Sequence, residues 1–103
     1  MIPLIQNKAK EIQEICKQHN VAELYLFGSA LTSNYNESSD LDFAVLFNPN
    51  LSPLEQGTAF FDLLDALENL FNKKIDLLSY RVIENPIFKE ELDKTKISVY
   101  AAA

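Results

Sequence analysis

The chain has 103 residues, 48% of them apolar, with nine basic and fifteen acidic side chains for a formal charge of −6. That is enough apolar mass for one self-sufficient core without disulfide or zinc support, and the scattered cations exclude direct nucleic-acid binding, which draws its affinity from clustered Lys and Arg. The single cysteine, Cys16, excludes an internal disulfide framework and fits a reducing, cytoplasmic setting, while the early charges and the lack of an apolar run near ~20 residues point to neither a signal sequence nor a membrane span.

From Pro3 to Asn20, apolar residues at Ile5, Ala9, Ile12, Ile15 and Cys16 recur at three-to-four spacing, which predicts one amphipathic helix. Glu23 to Phe27 is a bulky, nearly continuous apolar run stopped by Gly28, the pattern of a buried central strand, and Gly28-Ser29 then opens a turn. Asp40 to Phe47 alternates, with Leu41, Phe43, Val45 and Phe47 on one face and Asp40, Asp42, Ala44 and Leu46 on the other. Ser52-Pro53-Leu54-Glu55 combines a capping box with proline at the first helical position, and Phe60, Leu63, Leu64, Leu67, Leu70 and Phe71 carry the helix to Asn72-Lys73-Lys74. A third strand follows over Ile75 to Ser79. A short helix from Asn85-Pro86, with Ile87, Phe88 and Leu92, precedes a last strand over Ile97 to Tyr100. The order describes one small α/β domain over residues 1–100, its sheet of three or four strands covered by helices, with Ala101-Ala102-Ala103 read as an appended tail.

The chemistry concentrates on three acids and one turn. Residues two apart on a strand point the same way, so Asp40 and Asp42 project from one face with about 7 Å between their α-carbons. Two like charges placed together ask for a compensating cation, and oxygen-only donors suit magnesium, which takes one or two carboxylates plus phosphate oxygens. Asp76 lies inside the apolar strand Ile75-Asp76-Leu77-Leu78, where an unpaired charge is costly. If its strand lies beside the Asp40-Asp42 strand, it can hold a second metal or serve as general base. Gly28 and Ser29 offer free backbone N–H groups and a hydroxyl to a phosphate.

Each feature also has an ordinary reading. Most Asp-x-Asp pairs are solvated surface residues. Asn34, Asn36, Ser38, Asp40 and Asp42 alternate like a calcium loop, but Ser39 stands in place of its glycine and Val45 in place of its bidentate glutamate. His19 reads as a helix C-terminal charge, and Lys73-Lys74 as another, with phosphate contact as the alternative.

The stretch Leu26-Phe27-Gly28-Ser29, followed after ten residues by Asp40-Leu41-Asp42-Phe43-Ala44-Val45, resembles the signature of the polymerase-β-like nucleotidyltransferases. With Asp76 and the ending Asn85-Pro86-Ile87-Phe88 … Val99-Tyr100, the resemblance covers nearly the whole chain and points to the stand-alone minimal nucleotidyltransferases. It implies a mixed sheet, magnesium held by Asp40, Asp42 and Asp76, a triphosphate held by Gly28 and Ser29, and transfer of a nucleoside monophosphate from ATP to a hydroxyl with release of pyrophosphate. It also implies a helical HEPN partner in a toxin–antitoxin pair, with AMP passing to tyrosines of that partner. Two alternatives stand beside this one: an antitoxin that neutralises its HEPN partner by binding, and a small-molecule nucleotidyltransferase. Many relatives carry an Arg-rich, glycine-containing turn after Gly-Ser, whereas Ala30-Leu31-Thr32-Ser33 supplies neither. Nucleotide base preference and oligomeric state are not readable from the chain.

Overall fold

The computed structural model describes residues 3–32, 35–36 and 38–102. Helices α1 (Pro3–Asn7) and α2 (Ala9–Gln18) lead into strand β1 (Val21–Phe27), and β2 (Leu41–Phe47) follows. Helix α3 (Pro53–Phe71) links β2 to β3 (Ile75–Ser79), and α4 (Pro86–Thr95) precedes β4 (Ile97–Ala101). The sheet order is β3-β2-β1-β4, mixed as the resemblance implies: β2 and β3 run parallel, while β1 runs antiparallel to both β2 and β4.

Alternation sets the two faces of this sheet. Leu24 and Leu26 of β1, Leu41, Phe43, Val45 and Phe47 of β2, and Ile75 and Leu77 of β3 are buried against Ile12 and Cys16 of α2 and Leu63, Leu67 and Phe71 of α3. The Phe43 and Phe71 rings stack with centroids 6.1 Å apart. Burial pushes the Cys16 thiol up to about 12, which suits a core residue rather than a nucleophile. Residues between these positions face away from α2 and α3, on what is called here the outer face. Among the described residues no helix is long and apolar enough to cross a membrane.

The helix starts follow their local signals. Ser52 accepts the Glu55 N–H at 3.2 Å and the Glu55 carboxylate accepts the Ser52 N–H at 2.9 Å, completing the capping box. Asn85 caps α4 through the N–H groups of Ile87 and Phe88. Asn72 ends α3 in the left-handed region, with φ 51°.

Three expectations need correction. The first helix is broken at Lys8 (φ −111°, ψ 11°), whose N–H bonds three residues back to Ile5 at 3.1 Å, and Ala9, expected on the buried stripe, is exposed. The second strand starts at Leu41, so Asp40 lies just outside it. The last strand runs on to Ala101, which pairs with Glu23, and the Ala102 N–H bonds to the Ala22 carbonyl at 2.8 Å; sheet hydrogen bonding thus draws in residues set aside as a tail.

Gly57 has no structural reason within the fold. It lies inside α3 without a positive φ, and a methyl group at its position would meet nothing within 4 Å. Glycine inside a helix costs about 1 kcal/mol relative to alanine. Gly57→Ala is therefore expected to stabilise the isolated domain by about 0.5–1 kcal/mol, read as a higher urea midpoint at unchanged slope.

Candidate active site

The parallel pairing of β2 with β3 sets Asp42 directly opposite Asp76. The antiparallel pairing of β1 with β2 sets Phe27 opposite Asp42, which delivers the Gly28 turn to the same end of the sheet. Gly28 has φ +76° and begins a single 3₁₀ turn, Gly28–Leu31, closed by the Thr32 N–H and hydroxyl on the Ser29 carbonyl at 3.0 and 2.9 Å. A β-carbon on Gly28 would fall 2.3 Å from the Asp42 Oδ2. Glycine is thus required twice, by its left-handed backbone and by the carboxylate lying against it.

Asp42 is half-buried and holds its proton above the ordinary carboxyl range. Burial is the largest cause, followed by the charge of Asp76; the Ser29 backbone N–H, which hydrogen-bonds the carboxylate, works in the opposite direction. The neighbouring Asp76 carboxyl adds to that rise, an arrangement whose repulsion a proton on Asp42 or a bound cation would relieve.

Asp40 stands apart from this pair. It lies just outside β2, exposed, with one oxygen 3.9 Å from the Lys74 ammonium, although its charge still bears on Asp42. Among the described residues no three His, Cys, Asp or Glu side chains converge into a metal cage. The geometry therefore offers a facing pair with one outlying carboxylate.

Lys73, expected as a helix-end charge, instead supports the approach to the site. Its ammonium donates to the Tyr35 hydroxyl at 2.9 Å and the Ser39 carbonyl at 2.8 Å and lies 5.0 Å from the centre of the Tyr35 ring. Lys73 thus ties the segment leading into Asp40 to the end of α3, a contact 34 residues away in sequence that no local pattern announces. In that segment Asn36 accepts the Ser38 N–H at 2.9 Å, and Asn34, invoked in the calcium-loop pattern, lies outside the described residues, as does Ser33. His19 behaves as a helix-end residue, its Nδ1 2.8 Å from the Ile15 carbonyl.

The surroundings leave the acids accessible. On the outer face, Phe88 of α4 packs edge-on against Phe27 of β1 at 6.2 Å, and Tyr80, in the turn after β3, lies tilted against Tyr25 at 5.9 Å. Asp93 accepts from the Tyr80 hydroxyl at 2.7 Å and the Lys96 ammonium at 2.9 Å, which locks that packing in place. Asp76 is exposed beside it. On the other side of the Gly28 turn, an open cleft of about 910 Å³ is lined by Ala30, Leu31, Thr32, Thr95 and Ile97.

Comparison with known proteins bears on the family and the fold. Residues 10–103 match the family model described as polymerase beta, nucleotidyltransferase. Two Methanocaldococcus jannaschii proteins named as protein adenylyltransferases are similar: one is 31% identical over 97 residues, spanning 86% of this chain and 95% of its own, and another is 35% identical over 77 residues, spanning 67% and 85%. Among solved structures, a toxin–antitoxin complex with AMP-PNP superposes with a TM-score of 0.69 at 20% identity, covering 91% of this chain and 73% of that one. A tri-AMPylated Shewanella oneidensis HEPN toxin in complex with its MNT antitoxin gives 0.64 at 20% identity, with 95% and 73% covered. At these identities the structures speak for the fold.

Two outcomes follow from the geometry. Gly28→Ala should cost about 1–3 kcal/mol of stability in chemical denaturation and displace the Asp42 carboxylate. The second concerns pH. A carboxyl with a raised folded pKa takes up a proton on folding, so stability falls as pH rises from the ordinary carboxyl value of 3.8 through the raised native value. With chelator present, Asp42→Asn should therefore stabilise the fold at neutral pH, by less than about 1 kcal/mol because solvent screens the pair and read in urea denaturation, and the gain should vanish in acid where Asp42 is itself neutral.

Proposed function

The chain belongs to the polymerase beta nucleotidyltransferase family, and on that premise we propose that it transfers AMP from ATP to a protein hydroxyl, a tyrosine of a HEPN-domain toxin partner, and so acts as an antitoxin. The observation that carries this reading is the facing pair Asp42 and Asp76 set against the Gly28-Ser29 turn. The similar proteins named as adenylyltransferases, and the similar structures of MNT antitoxins with HEPN toxins, supply the donor and partner classes.

The donor set fits magnesium. It consists of carboxylate oxygens alone, and the burial and mutual repulsion that raise the proton affinity of Asp42 are what a divalent cation would offset. Asp42 and Asp76, with Asp40 at the margin, are the residues that would hold it. Bound there, magnesium supplies charge neutralisation and polarises phosphate oxygens.

The remaining work belongs to the chain. The 3₁₀ turn presents the Ser29 hydroxyl and the backbone N–H groups that Asp42 does not engage to the triphosphate, and Gly28 lets the phosphates approach the backbone. The acceptor oxygen attacks the α-phosphorus, the bond from that phosphorus to the oxygen bridging to the β-phosphate breaks, and pyrophosphate departs with that oxygen. Asp76, exposed at the mouth, accepts the hydroxyl proton.

A second reading has its own support. The turn residues Ala30, Leu31 and Thr32 supply no cation for the phosphates, which favours an antitoxin that neutralises its HEPN partner by binding with little transfer. Mass spectrometry separates the two. Incubation with magnesium, ATP and a HEPN protein should add the mass of AMP to the partner's tyrosines, and Asp42→Asn should abolish the gain. Neutralisation that survives Asp42→Asn with no mass change would favour binding alone, and a gain on a small molecule instead would move the acceptor class.

A further inference from the structure

Helix α3 buries Leu63, Leu67 and Phe71, yet its opposite side carries Leu54 and Phe61, 82% and 65% exposed. They are seven residues apart, close to two helical turns, so both lie on one outward stripe. Gly57 falls between them, beside that stripe, with open space where a side chain would be. The Phe61 ring rests edge-on against Phe60 at 5.4 Å, and Phe60 packs on the core, so the exposed ring is propped. Glu55, Asp62, Asp65 and Glu68 also lie on α3, which contains no Lys, Arg or His. Beside Leu54, a groove of about 350 Å³ between the end of α2 and the start of α3 is lined by His19, Asn20, Glu55, Thr58 and Asp62.

We propose that this face of α3 is a docking surface for an α-helix of a partner protein, whose apolar residues seat between Leu54 and Phe61 and whose flanking Lys or Arg residues meet the acids of α3. A glycine with no role inside the fold is accounted for by a backbone that approaches closely there. The charge selects the occupant. A second copy of α3 would set four carboxylates against four with no cation between them, whereas a basic helix gains from every one. The C-terminal end of α2, with its partial negative charge, strengthens the same preference at the groove. The surface lies on the opposite side of the sheet from Asp42 and Asp76, so docking leaves the acids accessible.

The test titrates isotope-labelled protein with a helical peptide carrying leucines seven residues apart between Lys and Arg flanks, and with the same peptide carrying Glu flanks. The amides of Leu54, Gly57 and Phe61 should shift with the basic peptide, the Glu version should fail to bind, and Phe61→Ser or Gly57→Leu should each weaken binding about tenfold or more while keeping the melting transition. Equal affinity in Phe61→Ser, shifts centred elsewhere, or no binding of the basic peptide would overturn the proposal. So would a dimer of the protein alone in sedimentation that Phe61→Ser converts to monomer, which would assign the face to a second copy.

Discussion

Everything at the candidate site depends on one unfavourable contact, the placement of Asp42 opposite Asp76 across two parallel strands. Like charges directly paired on a sheet destabilise it, so the fold must hold this pair from elsewhere. It does so through the other face. Leu41, Phe43 and Val45 of β2 and Ile75 and Leu77 of β3 are buried under α3, and a slip of one residue in either strand would carry an apolar row out to solvent. The core fixes the register, and the register forces the acids together. Burial and mutual charge then raise the proton affinity of Asp42, a cost that a bound cation would offset.

The antiparallel strand β1 brings the second half of the site by the same logic. Its apolar run ends at Phe27, opposite Asp42, so the chain must leave the sheet where the acids emerge. Only glycine can take φ +76° there while leaving room for the Asp42 carboxylate. The Ser29 N–H that hydrogen-bonds this carboxylate lowers its proton affinity, a partial answer to the repulsion from Asp76. Lys73 completes the frame by fastening the approach to Asp40 onto the end of α3.

Much of this was legible because the signals were local. The capping box at Ser52 to Glu55, the alternation of Leu41 to Phe47 and the lone acid in Ile75-Asp76-Leu77 each follow from neighbours within a few residues, and the elements they announce are present. What could not be read depends on distant contacts. Strand order decides that Asp76 faces Asp42 rather than Asp40, and Asp40 turns to Lys74 because the strand begins one residue after it. The tether from Lys73 joins residues 34 apart in sequence, so two adjacent lysines read as a helix end divide into one bound to a loop and one beside a carboxylate. The continuation of β4 to Ala101 is likewise set by its partner strand, since three alanines carry no pattern of their own.

The turn after Gly28, proposed to face a phosphate, is held without an arginine. Ala30 is buried in the core and Leu31 packs against it, so the middle of the turn is anchored from below. Thr32 closes it from above through two bonds to the Ser29 carbonyl. The N–H groups are thereby oriented before any ligand arrives, and preorganised dipoles need no rearrangement when charge develops. A mobile cation would add attraction at the cost of ordering a long side chain, whereas this turn relies on backbone geometry already fixed by packing. On the proposed function, a phosphate would rest on Gly28 and the closed Ser29 turn together, and the facing acids behind them would make a metal-free anion a poor match.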